Sequence, residues 1–262
     1  MSEIALYDLV DGVATITLNR PERLNAMNEA LIDDVLTHLE TAASDDRVRV
    51  VVITGAGRGF CAGGDLSGVA GLDVLGPIES KISNLRRQHR TVELLREMPK
   101  VTIAAINGPC AGAGLSWACA ADLRIASRSA IFRTSFLSAG MTGDFGGTWT
   151  LSNLIGAARA RELYLLNEKI GAERAGELGL VNLVVDDDAL TARVAEIAGN
   201  LAAAAPMAVR GIKANLNDAA RMDFSAALDA EAERHMRAAW SEDCAEAARA
   251  FIDKRAPVFA GR

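Results

Sequence analysis

The stretch "SAGMTGDFGGTW" (Ser138–Trp149) holds one ionisable side chain, Asp144, among glycines, small residues and aromatics. Asp beside Gly is ordinary turn chemistry. An isolated carboxylate is also costly to desolvate, and a glycine-rich loop brings backbone close to a partner, so Asp144 is equally a candidate acid or base. Its neighbours Phe136, Phe145 and Trp149 would raise its pKa toward a useful range if those rings surround it.

Further glycine-rich loops lie upstream, "GAGRGFCAGGDL" after "VRVVVIT" and "GPCAGAGLSWACAAD" after "VTIAAIN". Glycine lets backbone N–H groups face a ligand, and a helix starting near Gly112–Gly114 adds its partial positive charge. Gly63-Gly64 and Gly112-Ala113-Gly114 can each present one free N–H, and two such donors make an oxyanion hole. Either loop alone reads equally as a tight strand-to-helix turn. Neither carries the full dinucleotide fingerprint or a P-loop lysine pair.

Other chemistries are weaker. "GLSWA" (Gly114–Ala118) falls short of the G-x-S-x-G nucleophile elbow, although Asp144 and His235 follow in the right order. His235 sits in an amphipathic pattern that suits a structural histidine. His89 falls on an apolar helical face and reads as core or pocket lining. His38, His89 and His235 share no metal-ligand spacing, and the cysteines (Cys61, Cys110, Cys119, Cys244) show no paired spacing. No metal site is expected.

The elements that must position these residues alternate. "IALYDL" and "VATITLN" read as strands joined at Asp11-Gly12, a hairpin signal. "NEALIDDVLTHLETAAS" reads as a helix capped by Asn28. "VRVVVIT" is a β-branched run suited to a strand covered on both faces. Pro77 to Met98 reads as one long helix ended by Pro99. From about Leu190 the pattern is wholly helical, so an α/β body is followed by a helical third that packs on the body or on another subunit.

The 262 residues are 50% hydrophobic and 24% charged, a globular composition with ample core. A formal charge of −6 disfavours nucleic-acid binding. The longest apolar stretch, Ala111–Ala121, is too short for a bilayer, and "MSEIALYDLVDGV" shows no secretory pattern. No membrane partner and a reducing cytoplasmic setting are expected.

Together "LNRPERLNAMN" (Leu18–Asn28), "ITGAGRGFCAGGDL" (Ile53–Leu66), "AAINGPCAGAGLSWACAADLRIAS" (Ala104–Ser127), "GDFGGTW" (Gly143–Trp149) and "AGELGLVNLVV" (Ala175–Val185) resemble the crotonase, or enoyl-CoA hydratase/isomerase, superfamily over essentially the whole chain. The resemblance implies a spiral of β-β-α repeats with a C-terminal all-helical trimerisation region. Residues 1–200 would form the core with the ligand site, and residues 201–262 the helical oligomerisation region of a homotrimer or homohexamer. It also implies a coenzyme A thioester as substrate and no prosthetic group. The thioester carbonyl would lie between the N–H groups of Gly64 and Ala113. Arg23, Leu24, Ala26, Ala62, Asp65 and Leu66 match positions that hold the coenzyme A adenine end, with Arg20, Arg23 and Arg58 as nearby cations for its phosphates.

The glutamate pair of the hydratases would fall at Ser116 and Phe136, neither of which ionises. The chain most resembles the ring-1,2-epoxyphenylacetyl-CoA isomerases, whose catalytic aspartate matches Asp144, with Gly143 where they usually carry proline. The implied function is an acyl-CoA isomerase acting on an unsaturated or epoxidised acyl group, Asp144 serving as acid and base. The alternative is an enoyl-CoA hydratase of atypical mechanism. A non-catalytic thioester-binding protein and a serine hydrolase acting through Ser116 are further rivals.

Overall fold

The computed structural model describes residues 3–68 and 77–262. Strands β1 (Ala5–Val10) and β2 (Val13–Leu18) form an antiparallel hairpin. Its turn residues, Asp11 (φ 48°) and Gly12 (φ 81°), both have the positive φ that a two-residue turn matching the strand twist requires. In chain order there follow α1 (Glu29–Ser44), β3 (Val50–Gly55), α2 (Ile78–Gln88), α3 (Arg90–Glu97), β4 (Val101–Ile106), β5 (Cys110–Ala111) and α4 (Ala113–Ala120). Then come β6 (Leu123–Ser127), β7 (Ile131–Arg133), α5 (Gly147–Leu166), β8 (Ile170–Gly171), α6 (Ala172–Glu177) and β9 (Leu183–Val185). Four helices close the chain: α7 (Leu190–Ala202), α8 (Pro206–Ala219), α9 (Phe224–Ala239) and α10 (Glu242–Asp253).

The main sheet has the order β1-β2-β3-β4-β6-β9, parallel from β2 onward, and β5-β7-β8 form a smaller sheet beside it. The two-residue side-chain period of a strand explains its central runs. Val51 and Ile53 of β3, with Ala104 and Ile106 of β4, enter the large core shared with α1, α3 and α4. Val50, Val52, Ile103 and Ala105 point the other way, onto Leu190, Val194 and Ala198 of α7. Both faces are covered, so no polar alternation is left to see.

The helix caps follow the sequence. The Asn28 side chain accepts from the Leu31 N–H at 2.9 Å and starts α1. The stretch read as one helix from Pro77 to Met98 is α2 and α3, joined at His89, which keeps a helical conformation (φ −58°, ψ −19°) and donates its N–H to the Leu85 carbonyl at 2.9 Å. The apolar stripe along it is only partly buried: Leu94 and Leu95 are core, whereas Ile78 and Ile82 face solvent. α5 is interrupted at Gly156, whose φ of 79° no helix tolerates.

α8 is tied to the body by a lysine. The Lys213 ammonium is buried and donates to the Lys100 carbonyl at 2.8 Å and to Asp122 Oδ2 at 2.7 Å. Burial pushes its pKa down, and the adjacent Asp122 carboxylate opposes that shift. α9 packs on α8, and α10 follows. Among the described residues, no helix is long and apolar enough to cross a membrane.

Candidate active site

The glycine-rich loops meet at the C-terminal ends of β3 and β4, where a parallel sheet opens toward a ligand. Their backbones pair: the Cys61 N–H donates to the Pro109 carbonyl at 3.1 Å, and the Ala111 N–H to the Cys61 carbonyl at 2.9 Å. Gly114 is required by this packing, because a Cβ there would lie 2.5 Å from the Cys61 carbonyl oxygen. Gly63 (φ 96°) and Gly112 (φ 53°) turn each loop through conformations that disfavour a side chain.

The outcome is a pair of unengaged donors. Ala113 is the first residue of α4 and Gly112 its cap, so the Ala113 N–H has no carbonyl one turn back. Gly64 is bracketed by bonds on either side, from the Met27 N–H to the Gly63 carbonyl and from the Asp65 N–H to the Met27 carbonyl, while its own N–H is left over. Among the described residues neither N–H has an acceptor. Gly64 and Ala113 line one cavity of about 510 Å³, with Ala62, Asp65, Leu66, Phe136, Met141, Asp144 and Phe145 also in its wall.

Asp144 enters that wall from the loop before α5. Its Oδ1 accepts from the Phe145 N–H at 2.7 Å and from His89 Nε2 at 2.7 Å; an ionised carboxylate only accepts, so the imidazole is the donor. Phe145 reaches this geometry at φ 48°, followed by Gly146 at φ 67°. Its ring packs edge-on against His89 (centroids 5.2 Å apart) and against the fully buried Trp117 (6.0 Å). The sequence reads His89 as core or pocket lining and does not reach its contact with Asp144. Its partner lies 55 residues away in a loop, and no local spacing along the helical face reports such a contact.

The positions matched to the adenine end divide between the cavity wall and the segment bonded to it. Ala62, Asp65 and Leu66 line the cavity. Arg23, Leu24 and Ala26 sit behind them, linked by the Ala62 N–H donating to the Leu24 carbonyl at 3.0 Å. Asn25 locks this segment. Fully buried, it donates to the Ala56 and Gly59 carbonyls (3.0 and 2.8 Å) and accepts from the Arg20 N–H (2.9 Å). Arg20 is not a free cation, since it pairs with Asp65 at 2.8 Å and donates to the Ala26 carbonyl. The Ser67 hydroxyl and the Arg20 guanidinium hold the Asp65 carboxyl down to about 2. Arg23 and Arg58 are exposed, and among the described residues neither has a carboxylate partner.

The sequence model of the enoyl-CoA hydratase/isomerase family matches residues 8–262. The chain belongs to that family. It is 39% identical over 263 residues to the 1,2-epoxyphenylacetyl-CoA isomerase of Escherichia coli K12, covering 100% of both chains. It is 35% identical over 209 residues to a 4-chlorobenzoyl coenzyme A dehalogenase of an Arthrobacter species, covering 78% of this chain and 74% of that one. The crystal structure of an enoyl-CoA hydratase from Bacillus anthracis superposes with a TM-score of 0.93 at 32% identity, covering 99% of this chain and 100% of the other. The fold is therefore the crotonase fold, an α/β body with C-terminal helices.

Within this enoyl-CoA hydratase/isomerase family member, the remaining sequence candidates fall outside the cavity or change meaning. Ser116 is buried at the base of α4, its hydroxyl 3.4 Å from the Gly112 carbonyl and against Gly147. His235 is exposed on α9, so no Ser-His arrangement forms. Phe136 lines the cavity and stacks on Tyr164, with centroids 6.1 Å apart. Trp149 does not surround Asp144, contrary to expectation: it turns outward and lies under the Arg96 guanidinium, 4.4 Å from its ring centroid. Of the three expected rings, Phe136 and Phe145 share the cavity wall with Asp144. Burial pushes the Cys61 and Cys119 thiols up to about 12 and raises Cys110 as well, which removes all of them as nucleophiles.

Proposed function

We propose that this enzyme is an acyl-CoA isomerase that moves a proton on an unsaturated or epoxidised acyl thioester. The observation carrying this reading is that Asp144 shares one cavity with the unengaged N–H groups of Gly64 and Ala113. A thioester makes its α-protons acidic, and removing one leaves charge on the carbonyl oxygen. Two backbone donors at that oxygen stabilise the enolate more than the substrate, each worth about 3–4 kcal/mol. Asp144 takes the proton and returns it elsewhere on the acyl chain, or assists opening of an epoxide. The other carboxylate in the wall, Asp65, is committed to Arg20 and Ser67.

Water addition needs a base for the water and an acid for the α-carbon, each worth roughly a hundred- to ten-thousand-fold. Ser116 and Phe136 supply neither. Coenzyme A would run past Ala62, Asp65 and Leu66, with Arg23 and Arg58 available to its phosphates. The deciding experiment is a mass-spectrometric and ultraviolet assay of wild type and Asp144→Asn against a 2-enoyl-CoA, a 3-enoyl-CoA and an epoxyphenylacetyl-CoA generated in place. Isomerisation without mass gain, lost in the variant, supports the reading. Addition of one water to the 2-enoyl substrate at ordinary enzymatic rates overturns it in favour of hydration.

A second reading is favoured by the His89–Asp144 contact together with the dehalogenase relative. Asp144 would attack a ring carbon bearing halide, the carbon–halogen bond would break with release of halide ion, and water would cleave the resulting ester. His89 is then the base at hand for that water. It ranks second because His89 Nε2 is already engaged by the Asp144 carboxylate. Halide release from a 4-halobenzoyl-CoA is its signature.

The C-terminal helices expose Phe224, Trp240, Phe251 and Ile252. We assign these exposed side chains to contact between copies of the chain in a homotrimer or homohexamer, and a native mass at the monomer value would remove the assignment.

A further inference from the structure

We propose that His89 is a positioning residue: it fixes the Asp144 carboxylate so that Oδ2, and not Oδ1, is the proton-carrying oxygen. The inference rests on Asp144 acting as acid and base, and it names what directs that action. Both hydrogen bonds to the Asp144 side chain fall on the same atom, Oδ1, from His89 Nε2 and from the Phe145 N–H, each at 2.7 Å. Among the described residues Oδ2 accepts none. An oxygen with two donors is a poor proton acceptor, because protonation there displaces a bond already made. The carboxylate is thereby divided into an anchored oxygen and a free one.

The anchor is itself anchored. His89 sits at the joint of α2 and α3, where its N–H remains bonded to the Leu85 carbonyl at 2.9 Å. Its imidazole is braced by the edge of Phe145, and Phe145 by Trp117 at the bottom of the core. Asp144 is in the cavity wall, and His89, whose side chain is about one-third exposed (34%), meets it at Oδ1. An imidazole whose Nε2 is spent on Oδ1 holds the carboxylate. Precise placement matters, since a misplacement of about 1 Å costs on the order of a hundred-fold in rate.

The proton step is simple to follow. The α-carbon–hydrogen bond breaks, its electron pair forms the enolate double bond with charge on the thioester oxygen, and the proton passes to Asp144 Oδ2. In deuterated water the returning proton is a deuteron. Exchange at the α-carbon of phenylacetyl-CoA therefore reads Asp144 chemistry without requiring the natural acyl group, and mass spectrometry counts it.

The test compares wild type, Asp144→Asn, His89→Leu and His89→Gln in that exchange assay, with kcat and KM resolved and thermal melts recorded. Gln places an amide N–H near the position of Nε2 but cannot carry a proton. The expected result is a kcat loss of about 10–100-fold in His89→Leu, KM within about two-fold, and recovery of most of that loss in His89→Gln. Equal and near-complete loss in both His89 variants, at the level of Asp144→Asn and with melts unchanged, would make His89 the proton carrier and overturn the proposal. Undiminished exchange in His89→Leu overturns it equally. Wild type without exchange, or Asp144→Asn with full exchange, removes the acid–base reading itself and the proposal with it, a result distinct from either His89 outcome.

Discussion

Gly63 and Gly112 lie back to back: a Cβ built on Gly63 would sit 3.5 Å from the Gly112 Cα and 3.0 Å from the Ala111 carbonyl oxygen. This contact sets the spacing of the two loops whose next residues, Gly64 and Ala113, carry the unengaged N–H groups. Gly112 also combines φ 53° with ψ −128°, which a side chain resists at about 1–3 kcal/mol. Gly112→Ala is therefore expected to lose about 1–3 kcal/mol of stability and at least about a hundred-fold in kcat as the donors separate. Gly64→Ala is the control for the fold, because a Cβ there meets nothing within 4 Å. Its stability should stay within about 0.5 kcal/mol of wild type. Chemical denaturation and turnover on the same preparations check both.

Asp65 gives the cavity wall a pH signature. Its carboxyl titrates near 2 in the folded protein against an ordinary 3.8. Between those values the unfolded chain binds the extra proton, so the contribution of the Asp65 bonds to Ser67 and Arg20 is complete above about pH 4 and fades as the pH falls toward 2. Asp65→Asn should be less stable than wild type at pH 6, and the gap should narrow through that window. Urea midpoints at pH 6, 4 and 3 test it; a gap independent of pH would assign the low titration to another cause.

The fold was legible wherever local chemistry forces it. Asp11-Gly12 announces a turn, Asn28 a helix start, and the β-branched run before Gly55 a strand covered on both faces. The candidate site was legible in part, because glycines with positive φ and a lone aspartate leave marks in one dimension. What escaped depends on contacts across the fold. His89 meets Asp144 from a helix whose apolar stripe hides it, and Asn25 locks a loop through carbonyls of residues 56 and 59. Trp149 turns outward because Arg96 offers a cation to its face, a choice that neither residue's neighbours in sequence predict.

Ser116 tests whether a hydratase glutamate can simply be restored. A Cβ on Gly147 would lie 2.2 Å from the Ser116 hydroxyl oxygen and 2.7 Å from the Tyr164 hydroxyl, so this corner holds no room. Burial raises the Tyr164 pKa, which marks the surroundings as apolar. Ser116→Glu would force a carboxylate into that space, where the described residues place no cation beside it. The expected outcome is a loss of about 3 kcal/mol or more, with no water added to a 2-enoyl-CoA. A stable variant that hydrates would mean the corner opens into the cavity.

Lys213 predicts how the C-terminal helices are held. Its ammonium is the buried partner of Asp122, whose Oδ2 also accepts from the Thr102 N–H at 2.8 Å. Lys213→Met preserves the length of the side chain and leaves Asp122 without its cation, at an expected cost of about 2–4 kcal/mol given that Asp122 is partly solvated. Adding Asp122→Asn removes the uncompensated charge, so the double variant should be more stable than the sum of the single losses by about 1–2 kcal/mol. Proton exchange on phenylacetyl-CoA should persist in all three, since neither residue lines the cavity. Strict additivity would show instead that Lys213 holds α8 through the Lys100 and Leu95 carbonyls, with the charge of Asp122 contributing nothing.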